Sequence, residues 1–295
     1  MQTHRFRHAA ATAAAVLIAT LGLGMPGAAW AVRVGVLSNN FVAETAANFS
    51  TQLSGHTFTP IDLRTTVPTL MSLTTNFDVL LVFEDGTFAN SNVVGTVAAS
   101  FASTGRTVVV GTFYDQDRSD GSPTNTPHGW GTLETLDPNT TDGVGTPYAP
   151  RALDPASIVV HPLTSGVSTL FSTRFGGGND AKLGTVVVAN WATPNARGRP
   201  DPVVAYRVTG AACVIHVAIA PNYPSIGAFG TDFGGDFYRL WQNAFDFGAD
   251  HCTSSAGAVP GLGVTPVPTQ SGPVLALTAL LLAALAGGAL RARRR

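Results

Sequence analysis

Asp78-Val79-Leu80-Leu81-Val82-Phe83 is the stretch on which the fold turns. An acidic residue opens an apolar run too short for a helix and apolar on both faces, the pattern of a central parallel strand covered above and below. Upstream, Val32-Arg33-Val34-Gly35-Val36-Leu37 reads as a buried strand. Glu44 to Leu53 reads as a short helix with Ala46, Phe49 and Leu53 on one face, and a second strand follows around Thr57 to Leu63. Downstream, Val94, Val97, Ala98 and Phe101 recur at helical spacing, and Thr107-Val108-Val109-Val110-Gly111 makes the next strand. Strand and helix alternate, so the first half is an α/β unit with a doubly wound, mostly parallel sheet and right-handed crossovers.

The second half is less regular. Residues 112 to 146 are rich in Gly, Pro, Asp, Asn and Thr and read as a long loop or insertion. Strands return at Leu183 to Val188, Val203 to Val208 and Ala212 to Ala220, the last two joined as an antiparallel hairpin by Thr209-Gly210. Asp236 to Ala249 closes the domain as a helix. Phe237, Leu240, Trp241, Ala244 and Phe245 form its apolar face, with Asp236 placed to favour the helix dipole.

The two ends of the chain carry a different message. Arg5 and Arg7 precede an apolar stretch from Ala9 to Gly24, and Ala29-Trp30-Ala31 offers the small-x-small site that signal peptidase cuts, so residues 1–31 read as an export signal. At the other end, residues 254–266 form a Gly/Pro/Ser linker. Residues 273–290 are uncharged and apolar enough to cross a bilayer, and residues 291–295 supply an arginine cluster that would stay cytoplasmic. The reading is an ectodomain over 32–253, exported, held as an inner-membrane intermediate with a cytoplasmic C-terminus and then passed to the cell surface or outer envelope.

Charge agrees with that partition. The chain has 17 basic and 18 acidic residues; without the two signal arginines and the four of the tail, 11 basic residues face 18 acidic ones, a formal charge of −7. Lys182 is the only lysine. No basic cluster marks a nucleic-acid footprint, so nucleic acid is not expected as a partner. Cys213 and Cys252 are the only cysteines, and an oxidising compartment makes a disulfide their default, two separate buried thiols being the alternative.

Val267-Pro268-Thr269-Gln270, the apolar span and the terminal arginines together resemble the IPTL-CTERM family of bacterial sorting signals, relatives of PEP-CTERM, with Gln270 where the family has leucine. The resemblance implies an exosortase-like enzyme cutting near Pro268-Thr269. The ectodomain resembles the class I glutamine-amidotransferase-like superfamily, including ThuA-like proteins. The carrying residues are Asp78 to Val82, His161-Pro162-Leu163-Thr164-Ser165-Gly166-Val167, and the closing stretches Pro202 to Tyr206 and Asn243-Ala244-Phe245. That resemblance implies a flavodoxin-like fold. The family nucleophile lies in Gly-x-Cys-x-Gly, but this chain has Gly111-Thr112-Phe113-Tyr114-Asp115, with Phe113 at the cysteine's place. The family's His-Pro-Glu falls near Ala220-Pro221-Asn222. Thiol acyl transfer is therefore not expected, and no catalytic residue is assigned.

The remaining polar groups fall at the carboxyl ends of the strands, where α/β sheets place ligands. Asn39, Glu84, Asp85, Asp115 and Asp117 form the candidate pocket. Paired carboxylates there would serve as acid and base in a hydrolase acting on envelope or extracellular polysaccharide; solvated loop carboxylates are the plainer reading. Asp115, Asp117 and Asp120 offer oxygen ligands suited to calcium, against a plain turn with Arg118 opposing the ion, so no resident cofactor or metal is expected. His161, ahead of Pro162, reads as a residue that caps or packs a loop. The expected role is a binding or structural module of the cell envelope, with polysaccharide as a candidate partner.

Overall fold

The computed structural model describes residues 31–86, 90–114, 129–140 and 148–253. The chain runs β1 (Val32–Ser38), α1 (Val42–Gln52), β2 (His56–Asp62), α2 (Leu70–Asn76), β3 (Val79–Val82), α3 (Ser91–Ser103) and β4 (Thr107–Gly111). A 3-10 turn at Gly131–Thr135 follows, then β5 (Arg151–Ala152), β6 (Leu170–Ser172), β7 (Val186–Trp191), β8 (Asp201–Thr209) and β9 (Ala212–Val217). The domain ends with α4 (Tyr223–Ile226), β10 (Phe233–Gly235) and α5 (Phe237–Ala249).

The main sheet has the order β2-β1-β3-β4-β9-β8-β7. β2, β1, β3, β4 and β9 are parallel, and β8 and β7 are antiparallel additions. This is the expected mostly parallel α/β sheet with an antiparallel hairpin, whose turn uses Gly210 at φ 61°, a left-handed conformation that glycine adopts without a Cβ clash. β3 is fully buried along its length, as its two-faced apolar run requires. Alternation along the strands feeds two cores. Val34, Val36, Val79, Leu81, Val109 and Ile215 face α1 and α5. Leu37, Leu80, Val82, Val108, Val110 and Val214 face α2 and α3. Helices on both faces make the sheet doubly wound.

Local chemistry fixes the helix starts. Asn90 caps α3 by accepting from Val93 N (3.1 Å), and Thr69 caps α2 by accepting from Ser72 N (3.2 Å). Asp236 stands at the start of α5 but does not cap it; its carboxylate accepts from Ser168 N and Thr169 N instead (2.8 and 2.9 Å), tying the helix entrance to the segment that leads into β6. Gly95 lets α3 lie against the 131–135 turn, because a Cβ there would come within 1.8 Å of Trp130 O.

Three features differ from the sequence reading. α2 is an additional helix whose only buried residue is Leu73, too sparse an apolar pattern to announce itself. β7 lies three residues later than expected, because Leu183 is 95% exposed and the paired stretch begins at Val186. A small second sheet, β10-β6-β5, has strands of two or three residues, below the length at which alternation can be read. The expected disulfide is present, joining Cys213 of β9 to Cys252 just after α5. The export signal at 1–31 with Ala29 and Ala31, the linker, the motif at Val267, Pro268, Thr269 and Gln270, and the span at 273–290 all lie outside the described residues. Among the described residues no helix is long and apolar enough to cross a membrane.

Candidate functional site

β2 leaves β1 on one side and β3 pairs with it on the other, so the sheet changes direction between β1 and β3. In open α/β sheets the crevice beyond the carboxyl ends at such a point is the usual ligand position. Asn39 follows β1 there, and Glu84 and Asp85 follow β3. The structure brings Asn39 and Asp85 into contact, with Asn39 Oδ1 accepting from Asp85 N (2.9 Å). Asn222, from the loop after β9, joins them by donating from Nδ2 to Asp85 Oδ2 (2.8 Å). Glu84 is wholly buried, and its backbone carbonyl accepts from Phe113 N (3.1 Å).

Three side-chain atoms around this row are buried and have no hydrogen-bond partner: Asn39 Nδ2, Thr112 Oγ1 and Asn222 Oδ1. They include both a donor and acceptors, and buried polar atoms in folded proteins are normally paired. Beside them stands an aromatic wall. Phe113 lies 5.3 Å from Phe175 and 5.9 Å from Tyr148 between ring centroids, and Phe175 lies 5.4 Å from Tyr223. Tyr148 is 53% exposed, which puts a ring face at the rim. Phe175 is held at φ 64°, its carbonyl accepting from Ala220 N (2.9 Å), and the Arg174 guanidinium covers its ring at 4.8 Å.

The same geometry leaves no place for the family's thiol acyl transfer. Phe113 stands where the amidotransferase resemblance places the nucleophile, its ring buried and its N–H engaged by Glu84 O. Both cysteines of the chain are in the disulfide, so no thiolate is available. At the base position stands Asn222, an amide that takes up no proton. Of the predicted pocket, Asn39, Glu84 and Asp85 are placed together, while Asp115, Asp117 and the calcium candidate Asp120 lie outside the described residues. Among the described residues no group of three or more His, Cys, Asp or Glu side chains could hold a metal. His161 caps its loop as expected, Nδ1 accepting from Leu163 N (3.2 Å), and its ring packs on Phe247 and Tyr206.

Sequence reasoning missed Asn222 and a second buried cluster. Tyr114 donates its hydroxyl to Asp137 Oδ2 (2.8 Å), Lys182 is paired with the other oxygen of Asp137, and Asn139 Nδ2 lies 2.5 Å from His216 Nδ1. Signals for it existed: Lys182 is the only lysine, and His216 interrupts the apolar run Ala212 to Ala220. Burial pushes the Asp137 carboxyl up to about 7 against the opposing pull of Lys182 and Tyr114. Burial, with the Lys182 charge adding, holds His216 down at about 3.

His216 therefore binds a proton more readily in the unfolded chain, and the stability it contributes, present above about pH 6.5, is lost as pH falls toward 3. Asp137, with its raised folded value, acts in the opposite sense between about pH 4 and 7. A difference experiment isolates the histidine. Between pH 7.5 and 5, His216→Gln should gain about 2 kcal/mol on the wild-type chain in urea unfolding. Parallel pH profiles for the two chains would contradict this.

No protein-family model matches the chain, and no curated protein sequence matches it. Solved structures do share its fold. A protein described as cytoplasmic protein STM1381 from Salmonella typhimurium LT2 aligns with a TM-score of 0.50 at 12% identity, covering 73% of this chain and 99% of that one. A second Salmonella typhimurium protein described as cytoplasmic, STM3548, aligns at 0.46 and 11% identity over 72% of this chain and 98% of its own. A putative ThuA-like protein from Bacteroides uniformis aligns at 0.46 and 12% identity over 75% of this chain and 94% of its own. At these identities the likeness is one of fold. It accords with the mostly parallel α/β architecture, and ThuA-like proteins, named in the sequence resemblance, are among the neighbours.

The expected location is corrected. An exported, membrane-tethered and then surface-sorted protein is not supported by two findings: one fold neighbour, at a TM-score of 0.50, is described as cytoplasmic, and among the described residues no helix is long and apolar enough to cross a membrane. The physical reason for the second is length. The longest described helices, α3 and α5, have 13 residues each, against about 20 for a bilayer crossing.

Proposed function

We propose that this domain is a ligand-binding module on an amidotransferase-like fold, without acyl-transfer chemistry, whose site is the crevice beyond β1 and β3. One observation carries the reading. The nucleophile position is a buried phenylalanine with its N–H already engaged, while Asn39 Nδ2, Thr112 Oγ1 and Asn222 Oδ1 are buried without partners beside it. Such atoms favour a small, uncharged ligand bearing hydroxyl or amide groups, because each unpaired group regains a hydrogen bond on binding. The exposed Tyr148 ring supplies a face for the ligand's apolar side.

The test is calorimetric titration of the purified protein with a panel of neutral mono- and disaccharides and primary amides, glutamine included. At least one compound should bind. Asn222→Leu should weaken that binding by roughly 10- to 100-fold, the effect of one buried hydrogen bond. Ammonia release from glutamine would overturn the non-catalytic reading, and binding indifferent to Asn222→Leu would move the site elsewhere.

A further inference from the structure

The chain's single lysine does not stand in open solvent. The Lys182 side chain is 22% exposed, its ammonium is paired with Asp137, and it also donates to Glu134 O (2.7 Å). Asp137 is 1% exposed, and its second oxygen accepts from the Tyr114 hydroxyl (2.8 Å) at the end of β4. The pair sits on a two-stranded ribbon. Lys182 N donates to Pro138 O (2.9 Å), Thr140 N donates to Asp180 O (2.8 Å), and Asn139 bridges Ala181. Around it lie Glu134 of the 3-10 turn, whose carboxylate accepts from Trp130 N, Arg207 of β8 on Thr135 O, and His216 of β9 beyond the Tyr114 ring.

We propose that the Asp137–Lys182 pair is a proton-operated latch on this ribbon. With Asp137 charged, Lys182 is held inward between the carboxylate and Glu134 O. When Asp137 takes up a proton, the ammonium loses its counter-charge and turns to solvent, while Tyr114 keeps its hydrogen bond to the remaining carbonyl oxygen of the acid. The geometry supplies the asymmetry: the carboxyl is enclosed, the lysine reaches the surface, and one of these charges cannot be kept inside without the other. Burial places the Asp137 exchange near neutrality, where His216 stays uncharged.

A single lysine makes the experiment clean. The intact chain, labelled with 13C-lysine, gives one side-chain Cε signal from Lys182, which is followed across neutral pH. One inflection near neutrality is expected, and it should vanish in Asp137→Asn. At one fixed pH on the alkaline side, that variant should also be acylated at Lys182 about tenfold faster than wild type, as a released side chain would be. A flat wild-type titration, or an inflection that survives in Asp137→Asn, overturns the latch. Should that variant not fold, Tyr114→Phe serves instead. It removes a hydrogen bond that favours the charged carboxylate, so the inflection must move to higher pH, and an unmoved inflection overturns the proposal as well.

Discussion

Arg151→Met is expected to lower the free energy of unfolding by about 3–5 kcal/mol, because it strands a buried carboxylate. Arg151 Nη1 lies 2.7 Å from Asp201 Oδ2, and the two side chains are 3% and 0% exposed. Asp201 also accepts from Gly178 N (2.7 Å) and Asn179 N (3.0 Å), so it fastens the Gly176-Gly177-Gly178 loop to the start of β8. Gly177 is required beside the guanidinium, since a Cβ there would come within 2.5 Å of Arg151 Nε. Methionine keeps most of the volume and removes the charge. Burial already raises the Asp201 carboxyl above the usual range, so in the variant it should protonate, and the loss should be smaller at pH 5 than at pH 7.5. Urea denaturation at both values measures this. A double change, Arg151→Met with Asp201→Leu, should recover part of the loss, because the uncompensated charge is gone. A single-variant loss under about 1 kcal/mol would mean that the pair contributes no more than an exposed one.

Opening the disulfide is the second large effect. Cys213 and Cys252 are 39 residues apart, and closing a loop of that size restricts the unfolded chain by about 3–4 kcal/mol in the chain-entropy model. The bond ties the end of α5 to β9, beside the bond from Thr107 Oγ1 to Gly248 O (2.7 Å). Cys213→Ala with Cys252→Ala should therefore lower the melting temperature by about 10 °C without changing the fold seen by circular dichroism. An unchanged melting temperature would show that the helix end is held by packing alone.

The parallel half of the fold was legible because its strands are apolar on both faces and its helices on one. Asp78 to Phe83, Thr107 to Gly111 and the stripe of Val94, Val97, Ala98 and Phe101 each carry a period that only one element satisfies. α2 and the small sheet were not legible, since one buried leucine or a two-residue strand leaves no period to read. Asn39, Glu84 and Asp85 were proposed for the pocket from their place after strands, and the structure sets Asn39 against Asp85. Asn222 was not proposed, because its partner Asp85 is 137 residues away in the chain. The location inferred from the chain ends is set aside on a fold neighbour described as cytoplasmic and on described helices too short to cross a membrane.

By itself the sequence determined the alternation of strand and helix and the absence of a thiol at the nucleophile position. These are properties of residue type and spacing, which the chain carries whether folded or not. Only the tertiary structure decided that Asn39, Asp85 and Asn222 meet, that Lys182 faces a buried Asp137, and that His216 is sealed from water. Those contacts join residues far apart in sequence, and the charge state of each group follows from how completely its neighbours exclude solvent.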